Sequence, residues 1–428
     1  MKRVLGIILV LLAVGSLAFA QAQAETVDDG KVKLSMFHYL DLTDPVATAN
    51  WDILLSTFEA TYPEIELEIE YGFNEPYHDK LQAMAIANQL PDIMFLWPGK
   101  RTGMVTSAGK AKDLSPWLEG KLDGFSPTAV AAQGPNGEIF ELPEQVTATH
   151  VMYTNEKLMA ELGLTLPKTL DEMVAQGDVI RAAGYTPIAM TNGDGWQMQS
   201  CFLSALIDRT GGRKWMDSAL AGDVSFADDE FINALNVIDV LAKNDMFSAG
   251  INTLNYGSAL TEFVTGKAVY YIDGGWRVNN LNGELPADMV DYVTLNVFPS
   301  VPMENGQAAS TAAVAGTGHG MNANLSDAEA DAAFKWIWFY SGPVGSAIRQ
   351  SFGALPAYKI PMPNDIDPLT VKLSEFVNNT PSGYVIDAVM DGEGMGVLHP
   401  ALQELIFGTK TPEEVGAEYE AWVAANER

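Results

Sequence analysis

Two periods of apolar and polar residues run along this chain, and the changes between them mark its elements. Val32, Leu34 and Met36 alternate with Lys33 and Ser35, which predicts a strand. Trp51, Leu54, Leu55 and Phe58 fall at helical spacing. From Glu64 to Tyr71 acidic and apolar residues alternate strictly, as in a strand with one face in a core and one in water. A helix is predicted from about Pro76 to Asn88, with Asn74 as its cap and Pro76 in its first turn. Ile93 to Leu96 is a short unbroken apolar run, the signature of a strand buried on both faces. Strand, helix, strand, helix, strand in this order predicts a mostly parallel α/β sheet.

The same grammar recurs further on. Thr149 to Tyr153 reads as a strand, and Thr169 with Glu172 forms a capping box opening a helix that ends near Gly184. Ile188 to Met190, Ala268 to Ile272 and Tyr292 to Val297 read as strands, with helices expected over 197–208, 229–243 and 258–264. Ser326 with Glu329 caps a helix carrying Trp336, Trp338 and Phe339, which read as packing residues, as does Trp51. Thr411 with Glu414 caps a last helix that has Pro412 at its first position. After a leader is removed about 400 residues remain, more than one core of ~250–300 residues accommodates. No Pro/Gly/Ser linker divides them. Two α/β lobes without a linker imply that the chain crosses between them more than once.

The N-terminus changes the picture from fold to location. Met1, Lys2 and Arg3 precede an apolar stretch from Val4 to Leu17, and small residues follow at Ala22-Gln23-Ala24 or Ala18-Phe19-Ala20. Residues 1–24 therefore read as an export signal, too short to be a membrane span. No cysteine stands there to carry a lipid anchor, so the mature chain is expected to diffuse freely in a periplasm. That location favours capture or hydrolysis over chemistry fed by cytosolic ATP or NADH. The charge narrows partners further. The chain has 25 Lys and Arg; without Lys2 and Arg3 they face 55 Asp and Glu, for a net charge near −32. Such a chain repels nucleic acid and anionic lipid surfaces. Most of that charge reads as a solvated surface. Cys201, the one cysteine, lies in an apolar stretch and reads as core.

Several segments resemble one family. Leu90-Pro91-Asp92-Ile93-Met94-Phe95-Leu96-Trp97 after a helix, Phe58 to Ile65 with its Tyr62-Pro63, and Leu142-Pro143 followed by Met152 to Leu158 occur in the family's order. So do Leu166 to Glu172, Phe263 to Val269 with Gly275-Trp276, and Phe352 to Ala357. Thr154, Glu156 and Leu170 depart from the family's usual residues. Together these segments are similar to the extracellular solute-binding proteins of ABC sugar transporters, family 1, which are maltose-binding-protein-like. The resemblance implies a two-lobed α/β periplasmic binding protein of type II, with a hinge and a ligand cleft between lobes. It implies a first lobe of 25–146 plus 318–342 and a second of 147–317 plus 343–428. It also implies a sugar ligand, a transient ABC permease partner in the inner membrane, a monomer and no cofactor.

A sugar offers hydroxyl groups at its edge and C–H groups on its faces, so its site needs flat aromatics together with carboxylates, amides and arginine. Candidates stand at strand ends and in loops. His38, Tyr39 and Asp41 follow the first strand; Asn74, Glu75 and Tyr77 follow the second; Trp97 closes the third, before Lys100 and Arg101. Glu144 and Gln145 lie at the first crossover, Trp196 in a glycine-rich loop, and Asp273, Trp276 and Arg277 after a later strand. His319 sits in a glycine cluster whose spacing is not a dinucleotide fingerprint.

Other classes fit less well. The five histidines are scattered with no zinc pattern, and no Gly-x-Ser-x-Gly elbow occurs. A glycosidase carboxylate pair could hide among so many acids, but the eight βα repeats of a barrel are missing. A cationic solute such as a polyamine fits the acidity, and the pair Tyr270-Tyr271 is the one hint of iron capture. A sugar binder is the leading expectation and a non-enzyme. N-terminal sequencing of protein from the periplasm is expected to begin at Gln21 or Glu25; a start at Met1 would contradict export and cleavage.

Overall fold

A computed structural model describes residues 30–427 except 126–129, 131–132, 135 and 315; the leader lies outside the described residues. The first three predicted strands form as β1 (Val32–Tyr39), β2 (Ile65–Gly72) and β3 (Ile93–Leu96), all parallel, with β1 in the middle of the three. The helices Pro45–Thr61 and Asn74–Ala87 connect them. The uninterrupted apolar run of β3 is explained by its place inside a sheet, and all four of its residues are buried. At the edge, β2 keeps Glu68 and Glu70 exposed, as its alternation requires.

Further strands are β4 (Leu142–Pro143), β5 (Thr147–Ala148), β6 (Val151–Asn155), β7 (Thr186–Ala189), β8 (Ala268–Asp273), β9 (Val293–Asn296), β10 (Thr311–Val314), β11 (Gly318–Met321) and β12 (Ser382–Gly383). They complete three sheets, ordered β2-β1-β3-β11-β4, β12-β10-β5 and β7-β8-β6-β9. Parallel pairing holds for the first three strands, for β7 with β8 and for β10 with β12, but not elsewhere. β11 runs antiparallel to β3 and β4, and β6 runs antiparallel to β8 and β9. Parallel neighbours need a crossover connection, and the helices between β7 and β8 supply one.

Each large sheet organises a separate core. The first gathers Phe37, Phe58, Tyr77, Leu142, Met321 and Trp336. The other sheet buries both faces: Met152 and Tyr270 face Phe202, Phe231 and Tyr419, while Tyr153 and Tyr271 face Phe263 and Leu281. Adjacent residues of one strand thus feed opposite layers, as period two demands. The chain leaves the first core after Pro143, returns at Gly318, and rejoins the second by Leu369. Ala357, with Tyr358 and Ile348 beside it, still packs on the first core, beyond the residue 342 boundary read from the sequence.

Local chemistry explains most boundaries. The boxes at Ser326/Glu329 and Thr411/Glu414 close in both directions. Thr169 closes only half of one, because the Glu172 carboxylate accepts from Lys168 N–H instead. Asn74 is not a cap. It is the first helical residue, at φ +55°, and its side chain is engaged elsewhere. The helix expected over 197–208 breaks into Trp196–Met198, a π turn over Gln199–Leu203, and Ser204–Thr210. Cys201 lies in that π turn, fully buried.

Trp336 is 0% exposed and rests edge-on against Trp51 and Phe58. Trp336→Ala is expected to cost about 3–5 kcal/mol by opening a cavity. Trp336→Phe should cost less, because the indole N–H it removes has no partner among the described residues. Chemical denaturation of both variants checks the order; equal losses would contradict it.

Candidate functional site

Between the two cores lies a cavity of about 360 Å³, in the range of small-molecule sites. Its walls are aromatic on both sides. One wall carries Tyr39, Phe73 and Trp97: Tyr39 meets Phe73 at 4.9 Å and Trp97 edge-on at 4.8 Å between ring centres. The other carries Trp196, Tyr256 and Trp276, with Trp196 5.0 Å from Tyr256 and 6.0 Å from Trp276. The Trp276 indole N–H donates to the Tyr256 hydroxyl. Phe73 and Tyr256, 6.0 Å apart, bring the two walls together at one end. Trp97, Trp196 and Trp276 are only half-buried, so their faces remain open to a guest.

Three arginines line the same cavity, each with a carboxylate. Arg101 Nη2 donates to Glu75 Oε1 at 2.7 Å, Arg277 Nε to Asp273 Oδ2 at 2.9 Å, and Arg349 Nε to Glu144 Oε2 at 3.2 Å. Arg277 also lies 3.7 Å over the Tyr256 ring, and Arg349 3.8 Å over Tyr340. Buried charges are tolerable when paired and hydrogen-bonded. Burial nevertheless holds the Glu75 carboxyl above its usual range against the opposing pull of Arg101. Asp387, also within the field of Arg101, is pushed the same way by burial. The Arg101 guanidinium carries five N–H donors, of which one is engaged by Glu75, so polar capacity faces the cavity.

Nine of the eleven residues singled out from the sequence line this cavity: His38, Tyr39, Asp41, Glu75, Trp97, Glu144, Trp196, Trp276 and Arg277. Two do not. Asp273 is 3% exposed and already accepts from Gly274 N–H and the Tyr256, Tyr271 and Arg277 donors. It has no room for a sugar hydroxyl, and its role is to hold Arg277. His319 is 0% exposed behind the wall, 3.1 Å from His38 Nδ1 through its Nε2. His38 itself is 2% exposed and stacks on Trp51 at 3.8 Å, so this pair supports the wall more than it meets a ligand.

Tyr77, named beside Glu75, is also core: its hydroxyl donates to Phe95 O at 2.7 Å. Tyr270 and Tyr271 are buried on opposite faces of the sheet with their hydroxyls on Gln176 and Asp273, so they form no open cluster for iron. Among the described residues no group of three or more His, Cys, Asp or Glu could hold a metal ion.

Reading the sequence missed Phe73, Tyr256, Arg349 and Asp387. Phe73 precedes the named Asn74 and could have been found by taking the whole strand end. Tyr256 and Arg349 are separated in sequence from every strand that points into the cavity, and nothing local marks them.

This geometry defines a two-core binding protein with its site between the cores. The profile of the family described as bacterial extracellular solute-binding protein matches residues 42–347, and the chain belongs to that family. It is 24% identical over 155 residues to the multiple sugar-binding protein of Streptococcus mutans, covering 35% of this chain and 37% of that protein. It is 28% identical over 160 residues to a probable sugar-binding periplasmic protein of Mesorhizobium japonicum, covering 37% of each. The chain thus aligns with less than two-fifths of the length of these curated relatives. A solved chitin oligosaccharide binding protein superposes with TM-score 0.82 at 22% identity, over 92% of this chain and 99% of that one. The two-lobed, type II α/β fold is that of such binding proteins.

Burial holds both His38 and His319 well below the usual histidine range. Unfolded histidine titrates near 6.5, so acid below that pH protonates the unfolded chain first and drains stability. The stability that His319 contributes should be whole above about pH 6.5 and shrink as pH falls. Denaturation of the wild type and His319→Gln from pH 7.5 to 5 is expected to show their difference narrowing, with ligand affinity unchanged at pH 7.5. A pH-independent difference would contradict this assignment.

Proposed function

We propose that the cleft captures a neutral mono- or oligosaccharide outside the cytoplasm and delivers it to an ABC permease. The observation that carries this reading is the pair of facing aromatic walls with charge-compensated arginines between them. Flat rings accept the C–H faces of a sugar, and paired guanidinium and carboxylate groups exchange hydrogen bonds with its hydroxyls without requiring a charged guest. The sugar-binding relatives support the same class. They are binding proteins, which supports reversible capture without turnover. Location in a periplasm is supported by the basic residues and apolar stretch of 1–17. The two cores are read as lobes of 25–146 plus 318–342 and 147–317 plus 343–428, hinged at the crossings, except that 348–358 goes with the first lobe because Ile348, Ala357 and Tyr358 pack on its core.

A cationic solute is the second reading. Asp41, Asp44, Glu75, Glu144 and Asp387 on the lining outnumber Arg101, Arg277 and Arg349. A thermal-shift panel of oligosaccharides and polyamines separates the two, because a guest bound only by the native state raises the melting temperature. Stabilisation by a polyamine alone would favour the second reading. With the best stabilising sugar, Trp276→Ala is expected to weaken binding at least about tenfold, or ~1.4 kcal/mol, while circular dichroism stays normal. Wild-type affinity in that variant would move the site away from Trp276.

A further inference from the structure

Asn74 stands apart from the rest of the cavity lining. It holds φ +55°, a left-handed conformation that a non-glycine residue keeps when its surroundings require it. Its side chain reaches across the cleft. Asn74 Nδ2 donates to Asp194 Oδ2 at 2.8 Å, and its Oδ1 accepts from Trp196 Nε1 at 3.2 Å and from the Tyr39 hydroxyl at 3.4 Å. One amide thus joins an aromatic of each wall.

Both ends of this bridge are anchored. On the far side Asn192 fixes the loop: its Oδ1 accepts from Met198 N–H at 3.4 Å, and its carbonyl accepts from Gln403 Nε2 at 2.8 Å. Gly195, at φ +81°, lies so close to His399 that an added Cβ would fall 2.6 Å from the His399 Cβ. On the near side Asn74 stands one residue past β2, after Phe73, and opens the helix Asn74–Ala87. The loop and the helix start are thus joined through the Asn74 side chain.

Resting on the reading of the cleft as a sugar site, we propose that Asn74 is a positioning residue. It latches the Asp194–Trp196 loop over the bound guest, so that it sets residence time and the angle of the Trp196 ring. Opening the cleft would break its hydrogen bonds to Asp194 and Trp196 together and leave the Tyr39 bond within its own wall.

The test is a swap, run at pH 8 with the panel sugar that raises the wild-type melting temperature most. Asn74→Asp sets a carboxylate against Asp194 and removes the donor. It is expected to bind at least about tenfold more weakly, chiefly through faster dissociation. Asp194→Asn added to Asn74→Asp restores one donor and one acceptor with the direction reversed, and keeps an oxygen for Trp196 Nε1. That double variant should recover most of the affinity, which a merely structural role for Asn74 would not produce. Asn74→Gly keeps the positive φ at no steric cost and serves if Asn74→Asp does not fold; it should also dissociate faster. If no panel sugar stabilises the wild type, the proposed function fails, and the latch is read by small-angle scattering of the protein alone. There Asn74→Asp should raise the radius of gyration and the swap should reverse it. Equal binding, or equal scattering in that case, by wild type and the single variants would overturn the latch, as would a swap no better than Asn74→Asp.

Discussion

Three guanidinium–carboxylate pairs are what the rest of this site depends on. Arg101, Arg277 and Arg349 are each at least nine-tenths buried, and an isolated charge so placed would cost several kcal/mol. Glu75, Asp273 and Glu144 make the burial tolerable, and each pair stands where the chain changes role. Glu144 sits at the first crossing, where Arg349 from the returning segment also donates to Tyr340 O. Asp273 ends β8 and turns Arg277 toward Tyr256. Glu75 lies in the first turn of the helix after β2. Removing one partner would leave a lone charge in an apolar-walled cavity, so pairs and walls persist together.

The aromatic walls follow from the same placement. Arg277 under Tyr256 fixes the ring that Trp196 and Trp276 lean on, and the Tyr256 hydroxyl accepts a hydrogen bond from the Trp276 indole N–H. These rings stay half-open because their polar edges are satisfied, which leaves their faces free. A wall of this kind discriminates by shape and hydroxyl pattern more than by charge, in keeping with a neutral guest on a strongly acidic protein.

Much of this was legible in the chain. Periods of two and 3.6 located β1, β2, β3 and the helix Asp229–Lys243, and two of three capping boxes formed as read. Strand ends delivered most of the lining, since a sheet aims its strand ends at the cleft whatever the residues between. Burial within those ends was not legible. Asp273 and His319 carry the right chemistry one layer too deep, and only the partners crowding them reveal it. Asn74 read as a cap because its type favours caps; a long-range bond to Asp194 overrode the local preference. Tyr256 and Arg349 reach the cavity through tertiary folding, which no local pattern encodes. The antiparallel turn of the second sheet was hidden for the same reason, because strand direction depends on where the chain crosses.

The most direct measurement is a crystal structure of the protein with its tightest-binding oligosaccharide. The account expects sugar faces within about 4 Å of the Trp196 and Trp276 rings, with the three arginine–carboxylate pairs intact and sharing hydroxyl hydrogen bonds. A sugar bound outside the cavity, or a guest held by a lone carboxylate with the aromatic faces bare, would contradict it.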